Sequence, residues 1–107
     1  MKSKKIYLQP ISTVFNGILD IVELQKGKVT FSDSPNGKVN FIITMYGSKW
    51  ELKFHVIDIG KNRTCVNLEI GGEPQGREDL IRREFAFIDS ILIENAHIEI
   101  FEATDDG

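Results

Sequence analysis

The sequence predicts an α+β domain: a curved antiparallel sheet in β-α-β-β-β-β-α order, packed on a long C-terminal helix. A short final strand is an alternative ending. Three observations predict it. A run with helical periodicity, Ile11–Leu24, follows a proline. Four stretches that alternate apolar and polar residues come next, separated by turns that contain glycine. A second helical run begins near Arg77. The 107 residues suit one domain, 1–107, with an ordered core over about 5–93. The charged N-terminal residues and the acidic tail 102–107 are expected to be flexible.

The first strand is expected at Lys5–Gln9, with Ile6 and Leu8 on one face and Pro10 ending it. Proline also suits the first helical position. In the helix Ile11–Leu24, Ile11, Val14, Phe15, Ile18, Leu19, Ile21 and Val22 share one side at ~100° per residue. Gly17 falls on the polar side. Lys26 and Gly27 suit the helix exit, with Gly27 as the residue that tolerates positive φ.

The four strands are read as a meander. "SPNG" places Pro35 and Asn36 in a type I turn and Gly37 in the left-handed position of a three-residue loop, which pairs Phe31 with Phe41 and Val29 with Ile43. Gly47-Ser48 reads as a two-residue turn that pairs Met45 with Trp50 and Phe41 with Phe54. "GKN" at Gly60–Asn62 pairs Phe54 with Leu68 and Val56 with Val66. These registers put Phe31, Phe41, Phe54 and Leu68 in one inward row. The opposite face carries Lys38, Asn40, Glu51, Lys53, His55, Asn67 and Glu69, and is mostly wet. "GGEPQG" is a connector that lacks any phosphate-loop spacing. In the second helix, about Arg77–Ile93, Ile81, Phe85, Ile88 and Leu92 form the apolar spine. His97–Phe101 is read as a final strand, with a helix continuation as the alternative.

This element order resembles the helix-grip fold of START-like and birch-pollen-allergen-like proteins, and one repeat of the TATA-box-binding protein. The resemblance covers about Lys5 to Ile93 and is one of topology, with no family motif. Helix-grip proteins usually have two short helices after the first strand and two further strands. This chain is smaller, so a large ligand cavity is not carried over. The TATA-binding comparison implies DNA binding through the exposed sheet face. Glu51 and Glu69 lie there and would repel phosphate, so that role is not carried over either.

The formal net charge of −3 argues against a protein that chiefly holds nucleic acid. Cys65 is the sole cysteine, which excludes an intramolecular disulfide and fits a reducing compartment. With no apolar run long enough for a signal peptide or membrane span, the chain is read as cytoplasmic. Cys65 faces Ile57 with no histidine directly across, so the sequence offers no base to make it a nucleophile. His55 and His97 need a third ligand for a metal. Glu51 is the nearest candidate, and Lys53 between them opposes a cation. No catalytic, metal or cofactor site is therefore assigned. Glu84 stands out because it falls inside the apolar arc of the second helix, where a carboxyl needs a partner or a proton.

Two readings of function follow. The first is non-catalytic binding of a small apolar ligand between the sheet and the C-terminal helix, lined by Trp50, Phe54, Glu84 and Phe85. Trp50 is its most open end. The second is an interaction module that forms a homodimer through an edge strand or through Ile42, Ile57, Ile59 and Cys65 on the outer face.

Overall fold

The structure, a computed structural model, describes residues 2–45, 47–71, 77–96 and 104–105. Its elements are β1 (Lys2–Tyr7), α1 (Ile11–Leu24), β2 (Lys28–Asp33), β3 (Lys38–Met45), β4 (Ser48–Gly60), β5 (Arg63–Gly71), α2 (Arg77–Ala96) and β6 (Thr104–Asp105). The strands form one antiparallel sheet in the order β2-β3-β4-β5-β1-β6. This is the β-α-β-β-β-β-α order read from the sequence, followed by a two-residue strand. Residues 97–103 lie outside the described residues, and with them the reading of His97–Phe101. So does 72–76 of the connector.

Helix α1 occupies the expected span, and its exit departs from the expectation in one detail. The left-handed residue is Lys26, with φ +56°, not Gly27. The Gly27 amide donates to the Val22 carbonyl at 2.8 Å and the Lys26 amide to the Glu23 carbonyl at 3.0 Å, a Schellman arrangement. Gly27 is needed for room: a Cβ there would lie 2.8 Å from the Phe41 ring. Gly17 does not face water. It is buried, and its missing Cβ would meet Leu92 of α2 at 3.2 Å. The helix is covered on two sides, by the sheet and by α2, which a single apolar stripe does not reveal. Leu19, placed on the apolar side by periodicity, is 37% exposed. Gly17 meets Leu92 and Gln25 meets Glu84, so the two helices run antiparallel.

The hairpin registers follow the turns. Between β4 and β5 the pairs Leu52–Ile70, Phe54–Leu68, Val56–Val66 and Ile57–Cys65 stand as expected. Lys61 and Asn62, both at φ +55°, form the two-residue loop between paired Gly60 and Arg63. Between β3 and β4 the register is offset by two residues. Met45 pairs with Ser48, so the connection is two residues long, Phe41 pairs with Leu52 and Ile43 with Trp50. A shift of two keeps every side chain on its face. Between β2 and β3 the offset is one residue. The loop holds four residues, Ser34 to Gly37, so Asp33 pairs with Lys38 and Phe31 with Asn40. An odd shift turns side chains over. Phe31 therefore leaves the inward row for the outer face, and a bulge between Val29 and Phe31 returns Val29 opposite Phe41. Gly37 has φ +67°, the left-handed position expected, and a Cβ there would sit 2.2 Å from the Val56 carbonyl oxygen.

Strand β1 starts three residues before the expected strand. Lys5 and Tyr7 point inward and Leu8 is exposed, the reverse of the expected face. The core gathers inward residues of β3, β4 and β5 against Val14, Ile18, Ile21 and Val22 of α1 and Leu80, Phe85, Ile88 and Leu92 of α2. Both helices lie on this one face of the sheet.

Candidate functional site

Two groups of polar side chains enter the apolar space between sheet and helices. The first surrounds Glu84. Helix periodicity sets Glu84 on the inward side of α2, and it is fully buried. Gln25, at the end of α1, donates from Nε2 to Glu84 Oε1 at 2.7 Å and to the Ile21 carbonyl at 3.2 Å. Glu84 Oε2 and Gln25 Oε1 have no partner among the described residues. Burial pushes the Glu84 carboxyl up to about 7, against the opposing pull of the Gln25 hydrogen bond and the Arg83 charge. Near neutral pH this carboxyl exists in both forms and can donate as well as accept.

Trp50 is buried at the same end of the molecule. Its indole Nε1 donates to the Met45 carbonyl at 3.3 Å. Arg83, the neighbour of Glu84, lies against the Met45 sulfur and 5.1 Å from the centre of the Phe87 ring. The Trp50 end and the Glu84 carboxyl are thus joined through Met45 and Arg83. Phe54 sits farther along the sheet, stacked on Phe41 with ring centres 6.0 Å apart. Phe85 faces Lys5 of β1.

The second group joins β1 to α2. Lys5 Nζ lies 2.8 Å from Asp89 Oδ2, and the Tyr7 hydroxyl donates to Asp89 Oδ1 at 2.7 Å. The Lys5 ammonium is also 5.7 Å from the ring centres of both Tyr7 and Phe85. Sequence reasoning missed this trio. Reading the strand from Lys2 and testing the other alternation would have placed Lys5 and Tyr7 inward. Asp89, four residues after Phe85, is the matching acid on the same helical stripe. Gln9 is likewise buried, with neither side-chain polar atom partnered among the described residues. Its carbonyl accepts from the Thr64 hydroxyl at 2.7 Å.

The outer-face residues are distributed along the strands. Ile57 pairs with Cys65, and Cys65 with Ile6, so these three make one apolar row. Ile42 pairs with Glu51, well apart from that row across polar residues. Ile59 stands at the β4 irregularity and is 39% exposed. His55 lies between Lys38 and Asn67. Among the described residues no three His, Cys, Asp or Glu side chains gather as a metal set, and no helix is long and apolar enough to cross a membrane.

No family model and no curated protein matches this chain. The element order resembles that of the helix-grip fold. Similar solved structures include the di-domain ARO/CYC StfQ from the steffimycin biosynthetic pathway, with a TM-score of 0.47 and 11% identity. That match covers 90% of this chain and 44% of StfQ, so this chain spans less than half of the di-domain protein. Ara h 8.0201 gives a TM-score of 0.47 and 11% identity over 86% of this chain and 93% of its own. A protein of Thermus thermophilus gives 0.46 and 9%, over 90% of this chain and 98% of its own.

Proposed function

We propose that this chain is a non-catalytic domain that binds a small, mostly apolar molecule between the sheet and α2, with Glu84 as the polar anchor. One observation carries the reading. Glu84 is fully buried, and its Oε2 and the Oε1 of adjoining Gln25 lack partners among the described residues. Buried polar atoms in folded proteins are nearly all hydrogen-bonded, and an unmatched one costs about 1–3 kcal/mol. A ligand hydroxyl or carbonyl placed there would remove that cost. Trp50 lies at this end, and Phe54 and Phe85 extend the apolar lining. The surroundings of the other reactive side chains support a non-catalytic role: Cys65 sits between Ile57 and Ile6, and His55 beside Lys38.

Titration with the neutral apolar dye N-phenyl-1-naphthylamine tests this, because Trp50 is the only tryptophan. Saturable energy transfer from Trp50 to the dye is expected. 1-Decanol should displace the dye better than its methyl ether, which cannot donate, and Glu84→Leu should abolish that preference. Absence of saturable transfer, or a preference that survives Glu84→Leu, overturns the reading.

A second reading is favoured by a separate observation. Strand β2 is the outer edge of the sheet, with Val29 and Phe31 48% and 47% exposed. An unpaired edge with exposed apolar residues is a template for pairing with a second copy. Sedimentation at high concentration should then show dimer, and charge reversal on β2 should return monomer.

A further inference from the structure

Strand β2 is the least covered strand of the sheet that carries the core. Lys28 to Ser32 are all exposed, whereas Val39, Phe41 and Ile43 of the adjoining β3 are buried. Among the described residues β2 is also an edge, so one side of its backbone is open to another strand. The bulge between Val29 and Phe31 decides which of its side chains share a face. Lys28, Phe31 and Asp33 stand opposite Ile42, Asn40 and Lys38 on the outer face. Val29 and Ser32 stand opposite Phe41 and Val39, which point inward. With Thr30 set aside as the bulged residue, the strand reads outer, inner, outer, inner, outer. That pattern is the same from either end. It carries a cation at one end, an acid at the other and an aromatic ring at the centre. Without the bulge, Lys28 and Asp33 would fall on opposite faces, because five residues is an odd interval.

The two charged ends are open to a further partner. Lys28 stands opposite an isoleucine and makes no ion pair among the described residues. Asp33 lies beside Lys38 and accepts from the Asn36 side chain at 2.7 Å. A carboxylate has about four lone-pair sites, so Asp33 has room for a second cation.

We propose that two copies of this chain join by antiparallel pairing of β2 with β2, about a two-fold axis at Phe31. This rests on the edge-pairing reading of β2 given above and adds the register that the bulge dictates. A two-fold axis normal to the sheet sets inner against inner and outer against outer, as cross-strand pairs require. Lys28 then lies opposite Asp33 of the second copy, and Val29 opposite Ser32 of the second copy. The two Phe31 rings meet at the axis on the outer face. Each bulge opposes one ordinary step of the other strand, as it already does against β3. The two nearest registers that keep faces matched pair three residues of β2 instead of five. They also set Lys28 or Asp33 opposite Phe31. Lysine and a bulge on an edge discourage indiscriminate pairing. On β2 both are self-complementary, so they single out one register and one partner, a second copy. Exposed charges contribute little affinity and much specificity, and the paired segment is short, so the dimer is a weak one.

Sedimentation of the full chain from about 10 μM to about 1 mM should show a reversible monomer–dimer equilibrium. Lys28→Glu sets two acids opposite each other at both ends and should weaken the dimer by about tenfold or more. Asp33→Lys should do the same with two cations. The double variant restores opposite charges and should dimerise within about threefold of the original chain. Amide NMR of each variant at low concentration checks that the fold is intact. In a Cys65→Ser background, Phe31→Cys should cross-link to itself on mild oxidation, because directly opposite residues lie within disulfide reach. Val29→Cys should cross-link to Ser32→Cys and not to itself. Monomer throughout the concentration range overturns both this register and the edge reading. A dimer that neither single reversal weakens places the contact elsewhere and overturns both as well. A dimer weakened by the single reversals but not restored in the double variant, or one in which Val29→Cys cross-links to itself, overturns the register alone.

Discussion

The two faces of the sheet are written on the same strands yet obey different physics. On β4, Trp50, Leu52, Phe54 and Val56 point inward and are almost wholly buried, whereas Glu51, Lys53, His55 and Ile57 point outward. Inward, an unmatched polar atom is costly, and Glu84 draws on Gln25 and Lys5 on Asp89. Outward, water solvates each charge, so lysines can gather in the Lys38–Lys53 rows at little cost to stability. The inner face therefore governs whether the chain folds. The outer face is free to carry charge.

Substitutions on the two faces break or sharpen this contrast. The largest difference is expected between two phenylalanines. Phe54→Ala removes a fully buried ring and should cost about 3–5 kcal/mol in chemical denaturation. Phe31→Ala removes a half-exposed ring and should cost about 0.5 kcal/mol or less. Equal losses would mean that Phe31 belongs to the core.

Glu84 gives the next effect, read as pH dependence. Its folded pKa, about 7, lies above the ordinary 4.5, so the folded state favours the protonated form. That contribution is complete below about pH 4.5 and is lost as the pH rises through about 7. From the size of the shift the change is about 3 kcal/mol. Comparing the chain with Glu84→Gln from about pH 4 to 8 isolates it, since the variant cannot titrate there. Parallel stability curves would show that Glu84 is solvated.

A smaller loss, about 2 kcal/mol, is expected for Asp89→Ala, which takes this acceptor away from the buried Lys5 ammonium and the Tyr7 hydroxyl. Glu51→Ala on the outer face removes only an exposed partner of Lys53 and should change stability by less than about 0.5 kcal/mol. Thermal melts of the two variants side by side measure the contrast directly.

Legibility in the sequence divided along similar physical lines. Helix α1 and the β4–β5 register were readable because local signals decide them: a proline before Ile11, and a turn around Gly60. Glu84 was readable because helical periodicity alone sets it in the apolar arc. The β3–β4 offset was not, because a shift of two residues leaves every side chain on its face and alternation is blind to it. The β2–β3 offset turned on whether the loop holds three residues or four, and that one residue moved Phe31 from the inner to the outer face. Gly17 was misplaced because the α2 residue it meets, Leu92, lies far along the chain. Lys5 and Asp89, separated by 84 residues, meet only after the sheet closes. The neighbourhood of Lys2, Lys4, Lys38 and Lys53 on the outer face needed the fold: they come from β1, β3 and β4, and only the strand order β3-β4-β5-β1 brings them to one face region.

Native mass spectrometry of the chain purified from cells near pH 7 tests the central claim, an interior ligand anchored at Glu84, most directly. The predicted spectrum shows the chain carrying a small-molecule mass that is absent from folded Glu84→Leu. A spectrum of the bare chain, or an adduct retained unchanged in Glu84→Leu, would contradict it.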